Sequence, residues 1–172
     1  MQQQHPRSVL EVGSGPRFLA EYIFQHYLVP QYSNTHINFS YTAFDFSQAM
    51  HQLLKQKIPL NLQHHLRCEC GDFKTHDWTQ PLTHYDLIIC HQALHELRHK
   101  RHAAQFHQQI FNCLHAKGLY LLCDHVYAPD GMQNNQLYMS ASEMKTSLMS
   151  IGFQQIHLAW QHQGMCFFVC EK

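Results

Sequence analysis

Twelve Lys and Arg are balanced by twelve Asp and Glu over 172 residues, so no excess of one sign draws the chain to nucleic acid or to an anionic membrane. No apolar run approaches the roughly 18–20 residues needed to span a bilayer. The opening stretch MQQQHPRSVL has neither the basic nor the apolar region of a signal peptide. The expectation is a cytoplasmic chain with no membrane and no nucleic-acid partner. Charged residues make up only 14% and hydrophobic ones 45%, which suits one packed domain and not a disordered chain.

Cysteine is present but in no framework. The seven Cys are irregularly spaced and form no C-x-x-C pair, so reduced structural thiols are expected and a zinc ribbon is not. Histidine is abundant, with 17 copies. At that density about two His pairs four residues apart arise by chance, and the two present are His91/His95 and His95/His99. They are no evidence for a metal, and none is expected.

Apolar runs and helical stripes alternate from end to end. Ser8–Val12 reads as a first strand followed by a glycine-containing turn. Pro16 suits the first position of a helix with Phe18, Leu19, Tyr22, Ile23 and Tyr27 along one face. Residues 29–38 read as a loop. Phe39–Phe44 reads as a strand ending at Asp45, and Ser47 as the N-cap of a helix with Ala49, Met50, Leu53 and Leu54 on one face. Further strands are expected at His65–Cys70, Tyr85–Cys90 and Leu119–Cys123. Helices are expected at about 99–115, with Ala103, Phe106, Ile110, Phe111 and Leu114 inward, and at 140–150, capped by Ser140 or Ser142 and stopped by Gly152. Phe153–Trp160 and Met165–Cys170 read as an antiparallel hairpin. The alternation implies an α/β fold with a parallel sheet covered on both faces. Ligands of such sheets bind beyond the carboxyl ends of the strands, beside the first.

Chemistry-bearing residues fall at those ends. Gly13, Ser14 and Gly15 allow a sharp turn and close backbone approach at a helix N-terminus, although a tight strand–helix turn alone would look the same. Glu11, two residues earlier, can face a cation such as an amino group or a sulfonium. Asp45 can accept both hydroxyls of a ribose, or cap the following helix. Asp72 can accept from an adenine amino group while Phe73 packs on the ring, or Asp72 can serve only its turn. His91 to His95 follow the fourth strand, where backbone groups can line a cofactor and side chains can face a substrate.

In order and spacing these segments resemble the class I S-adenosylmethionine-dependent methyltransferases over nearly the whole chain. Val9–Gly15 is similar to the first motif of that family, and Phe44–Met50 to its D-x-S-x-x-M element. Cys70–Phe73 resembles its adenine-side acid, Tyr85–Ile89 with Ala93–Leu97 its fourth strand and LHHL segment, and Leu114–Leu121 its approach to the fifth strand. The resemblance implies a three-layer Rossmann-like sandwich. Its seven strands would run in the order 3-2-1-4-5-7-6, the seventh antiparallel. It also implies S-adenosyl-L-methionine as cofactor, held by Glu11, Gly13, Ser14, Gly15, Arg17, Asp45, Phe46, Asp72, Phe73 and His91. Arg17 stands where the family often has a third glycine. There it pairs with the cofactor carboxylate or crowds the site. The chain reads as a single domain, residues 1–172, without the helices that many relatives place before the first strand. Cover for the pocket is then missing, or comes from a second subunit or from the 125–140 loop.

Methyl transfer needs a nucleophile aligned at about 3–3.5 Å and shielded from water, with a base where the acceptor is a hydroxyl or a protonated amine. The candidates are His125, Asp124, His91 and His95, with Asp124–His125 the preferred pair. Tyr127, Met132 and Tyr138 form an apolar wall or simply pack the loop. The expected activity is methyl transfer to a small molecule. Two alternatives stay open: a cofactor-binding subunit or sensor that needs a partner, and a nicotinamide dehydrogenase. The second is weakened because Gly-Ser-Gly-Pro-Arg-Phe lacks the last Gly or Ala of the dinucleotide fingerprint.

Overall fold

The structure is a computed structural model and describes residues 6–16, 18–28 and 38–172. The strands are β1 (Ser8–Val12), β2 (Ser40–Asp45), β3 (Leu66–Cys70), β4 (Tyr85–His91), β5 (Leu114–His125), β6 (Gln155–His162) and β7 (Met165–Glu171). The α-helices are α1 (Phe18–Ile23), α2 (Gln48–Lys57), α3 (Ala103–Cys113) and α4 (Ala141–Ile151). A π-helical turn at Phe24–Leu28 continues α1, and tight 3-10 turns lie at Leu60–His65, Leu94–Leu97 and Lys100–His102.

All seven strands form one sheet in the order β3-β2-β1-β4-β5-β7-β6. The ladders from β3 across to β5 are parallel, and β7 is antiparallel to both β5 and β6. This is the expected architecture. β1 is apolar at consecutive positions because a central parallel strand is buried on both faces. Leu10 and Val12 join a core that includes Phe106 of α3 and Met144 and Leu148 of α4. Val9 joins a second core on the other face, with Ala20 of α1, Phe24 and Leu54 of α2.

Several local expectations are corrected. The stripe along α1 holds only in part: Leu19 and Ile23 pack against the second core, but Phe18, Tyr22 and Tyr27 are exposed, while Ala20, Phe24 and Leu28, each four residues from the next, are buried. On α2, Ala49 and Leu53 are exposed, while His51 and Leu54, with Ile58 at the C-cap, are buried. In both helices two overlapping stripes satisfy helical periodicity, and contact with the sheet selects one. The single helix expected over 99–115 is a 3-10 turn followed by α3, which ends at Cys113. Leu114 is buried, but as the first residue of β5, paired with Tyr85. The 29–38 loop falls, from 29 to 37, outside the described residues.

Helix ends are set by local chemistry. Ser47 occupies the N-cap of α2 without a side-chain cap bond; instead Asp45 Oδ1 accepts from the Ser47 N–H at 2.9 Å. α4 has a complete capping box. Ser140 Oγ accepts from the Glu143 N–H, and the Glu143 carboxylate accepts from the Ser140 N–H at 2.8 Å. Gly152 closes that helix with φ 119°, in the left-handed region. Replacing Ser140 by Ala should lower stability by about 1 kcal/mol, seen in urea unfolding as a lower midpoint with an unchanged slope.

Candidate active site

The parallel ladders bring five strand exits to one edge of the sheet. Val12 stands level with Phe44 on one side and Cys90 on the other, Asp45 with Cys70, and His91 with Cys123. The residues that follow therefore form a row: Asp72, then Asp45, the Gly13–Gly15 turn, the His91–His95 segment, and Asp124 with His125. β1 and β4 are the adjacent strands from which the chain departs in opposite directions, so the cleft sits at the switch point of the sheet.

The glycine turn is closed by two bonds onto one carbonyl. The Gly13 and Ser14 N–H groups both donate to the Phe44 carbonyl, at 2.8 and 3.1 Å. Gly13 has φ 70°, and a Cβ there would meet the Ala93 Cβ at 2.4 Å, so only glycine lets the turn reach the fourth strand. Gly15 also has a positive φ, 58°, but a Cβ there would meet nothing within 4 Å. Its outer side is open. Its N–H donates to Asp45 Oδ2 at 2.9 Å, which ties the turn to the exit of β2. Ser14 Oγ is buried with no hydrogen-bond partner.

Two buried carboxylates lie under this turn. Glu11 is 3% and Asp45 6% exposed. Glu11 Oε2 accepts from the Tyr41 hydroxyl at 2.5 Å. No ion pair to either carboxylate occurs among the described residues. Burial lifts the Glu11 carboxyl to about 7, with repulsion from Asp45 adding to the rise and the Tyr41 bond opposing it. Both Asp45 oxygens accept one backbone N–H, and each keeps a lone pair for a further donor. An unsatisfied buried hydroxyl, an open turn and buried acids without a described cation fit a ligand that brings a positive group and hydroxyls of its own.

The remaining expected residues divide. Arg17 lies outside the described residues. Phe46 is exposed beside Asp45. Asp72 holds its own turn, accepting from the Lys74 N–H at 2.9 Å and pairing with Lys74 Nζ at 3.6 Å. The Phe73 ring is buried edge-on against Phe106 and walls, with Leu97, a cleft of about 200 Å³. His91 is exposed at the end of β4.

At the far end of the row, Asp124 is 1% exposed. Its Oδ2 accepts from the Leu94 N–H at 2.7 Å, and its Oδ1 accepts from the His125 N–H at 2.7 Å and from His95 Nδ1 at 2.8 Å. The side-chain partner of Asp124 is therefore His95, while His125 meets Asp124 through its backbone and sets its ring edge-on to His95 at 5.4 Å. Because a carboxylate only accepts, His95 Nδ1 carries the hydrogen, and Nε2, which lies 3.6 Å from Glu96 Oε1, is left as the basic nitrogen. The Asp124 hydrogen bond raises the His95 pKa against the opposing pull of burial. Leu97, His99, Tyr138, Met139 and Met144 close around His95 and His125, leaving a cavity of about 20 Å³. Tyr127 and Met132 bridge each other within the loop. Among the described residues no cluster of His, Cys, Asp or Glu is placed to hold a metal, and no helix is long and apolar enough to cross a membrane.

Sequence reasoning passed over Tyr41 and Ala93. Tyr41 lies on the neighbouring strand two residues before Ala43, the register partner of Glu11, and a tyrosine amid buried apolar residues signals a hydroxyl in need of an acceptor. Ala93 had no such signal, since its role is only to be small where Gly13 approaches.

The family described as Methyltransferase domain matches residues 9–118, more than half of the 172-residue chain. The chain belongs to that family, whose cofactor is S-adenosylmethionine. Among solved structures, the CurJ carbon methyltransferase superposes with a TM-score of 0.75 at 15% identity, over 99% of this chain and 50% of its own. Human N-acetylserotonin methyltransferase in complex with S-adenosylmethionine gives 0.69 at 18% identity, over 97% and 48%. An O-methyltransferase family 2 protein from Planctomyces limnophilus in complex with apigenin gives 0.71 at 15%, over 100% and 51%. The chain thus spans about half the length of these structures. None of the curated proteins matches its sequence.

The raised Glu11 pKa carries a stability consequence. In the unfolded chain Glu11 ionises near 4.5, while the folded chain keeps the proton to about 7. This contribution to folding is full below the unfolded value and is lost as pH rises through about 7. Between about pH 5 and pH 8 the wild type should lose about 3 kcal/mol relative to Glu11→Gln, measured as the difference between urea melts at the two pH values.

Proposed function

We propose that the chain transfers a methyl group from S-adenosylmethionine to a hydroxyl of a small molecule, acting as one domain. The observation that carries the proposal is the His95–Asp124 pair set on the same sheet edge as the glycine turn. The cofactor, when bound, supplies a methyl made electrophilic by its sulfonium. Asp45 is assigned to the ribose hydroxyls, Ser14, Gly13 and Gly15 to close backbone approach, and Glu11 to the cationic end. Phe46, Asp72, Phe73, His91 and Arg17 are assigned to the rim of the adenosine and methionine moieties.

His95 is the base. Its Nε2 takes the proton of the acceptor hydroxyl as the oxygen gains the methyl. Asp124 is a positioning residue: it holds the ring by Nδ1 and steadies the charge that forms. His125 forms the wall beside it. A cavity of about 20 Å³ has room for about one water, so a larger acceptor enters only as the loop carrying Leu137, Tyr138 and Met139 gives way. The zero net charge of the chain supports a small molecule over a nucleic acid, as does the apigenin bound to one structural neighbour.

Thermal shift and turnover test the assignments separately. S-adenosylhomocysteine should raise the melting temperature of the wild type and of His95→Gln alike, and Asp45→Asn should lose most of that shift. A full shift in Asp45→Asn removes Asp45 from the cofactor site. With a phenol panel, His95→Gln should lower kcat about 10²- to 10⁴-fold with cofactor affinity unchanged. Asp124→Asn should move the acidic limb of the kcat profile to lower pH, because the hydrogen bond that raises the His95 pKa is weakened. A limb that stays in place argues against His95 as the base.

A further inference from the structure

The charge of the chain is zero in total but not evenly spread. Three of its twelve Lys and Arg fall at positions 98, 100 and 101, with histidines at 99 and 102. This run joins the turn that carries His95 to the start of α3. Arg98 bends the chain there with φ 58°, and the Lys100 N–H donates to the Gln136 carbonyl at 3.0 Å. The basic run is thereby tied to the loop over His95. The small cavity at His95 is walled in part by His99, Lys100 and Met139. The same three residues line a second, open groove of about 560 Å³ between the run and α4. A group held in the groove is therefore next to the proposed base.

The polar groups left over in the groove are donors. Lys100 Nζ meets Glu143 Oε1 at 2.6 Å, and the Glu143 carboxylate also accepts from the Ser140 N–H and hydroxyl. The one acid lining the groove is thus already paired, while the ammonium keeps two hydrogens. Neither Arg98 nor Arg101 pairs with an acid among the described residues. Arg101 Nε donates to His102 Nε2 at 3.1 Å, which leaves the terminal nitrogens of the guanidinium. His99 Nδ1 accepts from the Arg101 N–H at 3.1 Å, so its Nε2 carries a hydrogen. The Thr146 and Ser150 hydroxyls donate to carbonyls of α4, but Ser147, which also lines the groove, has a buried Oγ with no hydrogen-bond partner. A ligand that suits this set accepts and does not donate. Arg101 is the one uncompensated cation in the lining, which matches a single negative charge, and a planar carboxylate fits its fork. Three cations are few beside the roughly 6–10 phosphate contacts of a nucleic-acid site. Between the groove and His95 the wall is apolar, with Leu97, Tyr138 and Met139, which suits a ring.

We infer that the acceptor is an aromatic hydroxy acid, with its hydroxyl at His95 and its carboxylate in the groove on Arg101. The inference rests on the methyl transfer proposed above, and binding separates the two. The test compares 4-hydroxybenzoate, 4-hydroxyphenylacetate and 4-hydroxycinnamate, which differ in length, each with its primary amide, which lacks the charge. For the acid of best length the wild type should show a kcat/KM about 10- to 100-fold above that of the amide, mostly through KM. Arg101 is exposed, so Arg101→Gln should melt within about 2 °C of the wild type. It should remove the preference by lowering kcat/KM for the acid alone. Equal values for acid and amide at all three lengths, or a preference that survives Arg101→Gln, overturn the inference. If no compound is methylated, titration of the S-adenosylhomocysteine-bound protein decides. An acid that binds about tenfold tighter than its amide, in the wild type but not in Arg101→Gln, sustains the carboxylate site and counts against the reaction. Equal binding, or none, overturns the inference.

Discussion

Strand β1 lies between two parallel neighbours, and the cleft depends on the two ladders it makes with them. Val12 is level with Phe44 and with Cys90, so the chain leaves three strands at one height. A slip of one residue would send Glu11 to the opposite face and move Val12 out of its core. Burial on both faces forbids that slip, and the bonds from Gly13 and Ser14 to the Phe44 carbonyl fix the turn that follows. The contact of Gly13 with Ala93 then sets how closely the first and fourth exits approach.

Along the row the electrostatics change character. One end holds two buried carboxylates, Glu11 and Asp45, with no cation beside them among the described residues. The other end holds one buried carboxylate, Asp124, satisfied by two backbone N–H groups and a histidine. The first end is suited to a ligand that brings positive charge, the second to taking up a proton without leaving a charge unpaired. Beneath the second end, His107 is fully buried, and burial lowers its pKa to about 3. It is a neutral neighbour and does not compete with His95 for the proton.

The two faces of the sheet are finished unequally. On one, α3 and α4 bury Phe106, Tyr120, Leu122 and Phe168 in a continuous core. On the other, the second core reaches Leu87 and Leu121, and beyond it Trp160 and Leu119 are exposed in rows that also hold His157 and Glu171.

The order of the segments was legible in the sequence because each rests on short-range chemistry. Buried strands read as apolar runs, Gly13 and Gly15 as a turn, Ser140 or Ser142 as a helix cap, and Asp45 and Asp124 as acids closing strands. From these the α/β class followed, and by resemblance the strand order. Which stripe of α1 and α2 turns inward was not legible, since overlapping stripes share the helical period and only the sheet distinguishes them. Nor was the partner of Asp124: His125 is adjacent in sequence, yet successive residues of a strand point to opposite faces, and it is the turn after β4 that carries His95 to the carboxylate. Local pattern determines which elements form. Their packing decides which side chains meet, because it acts between residues that are distant in the chain.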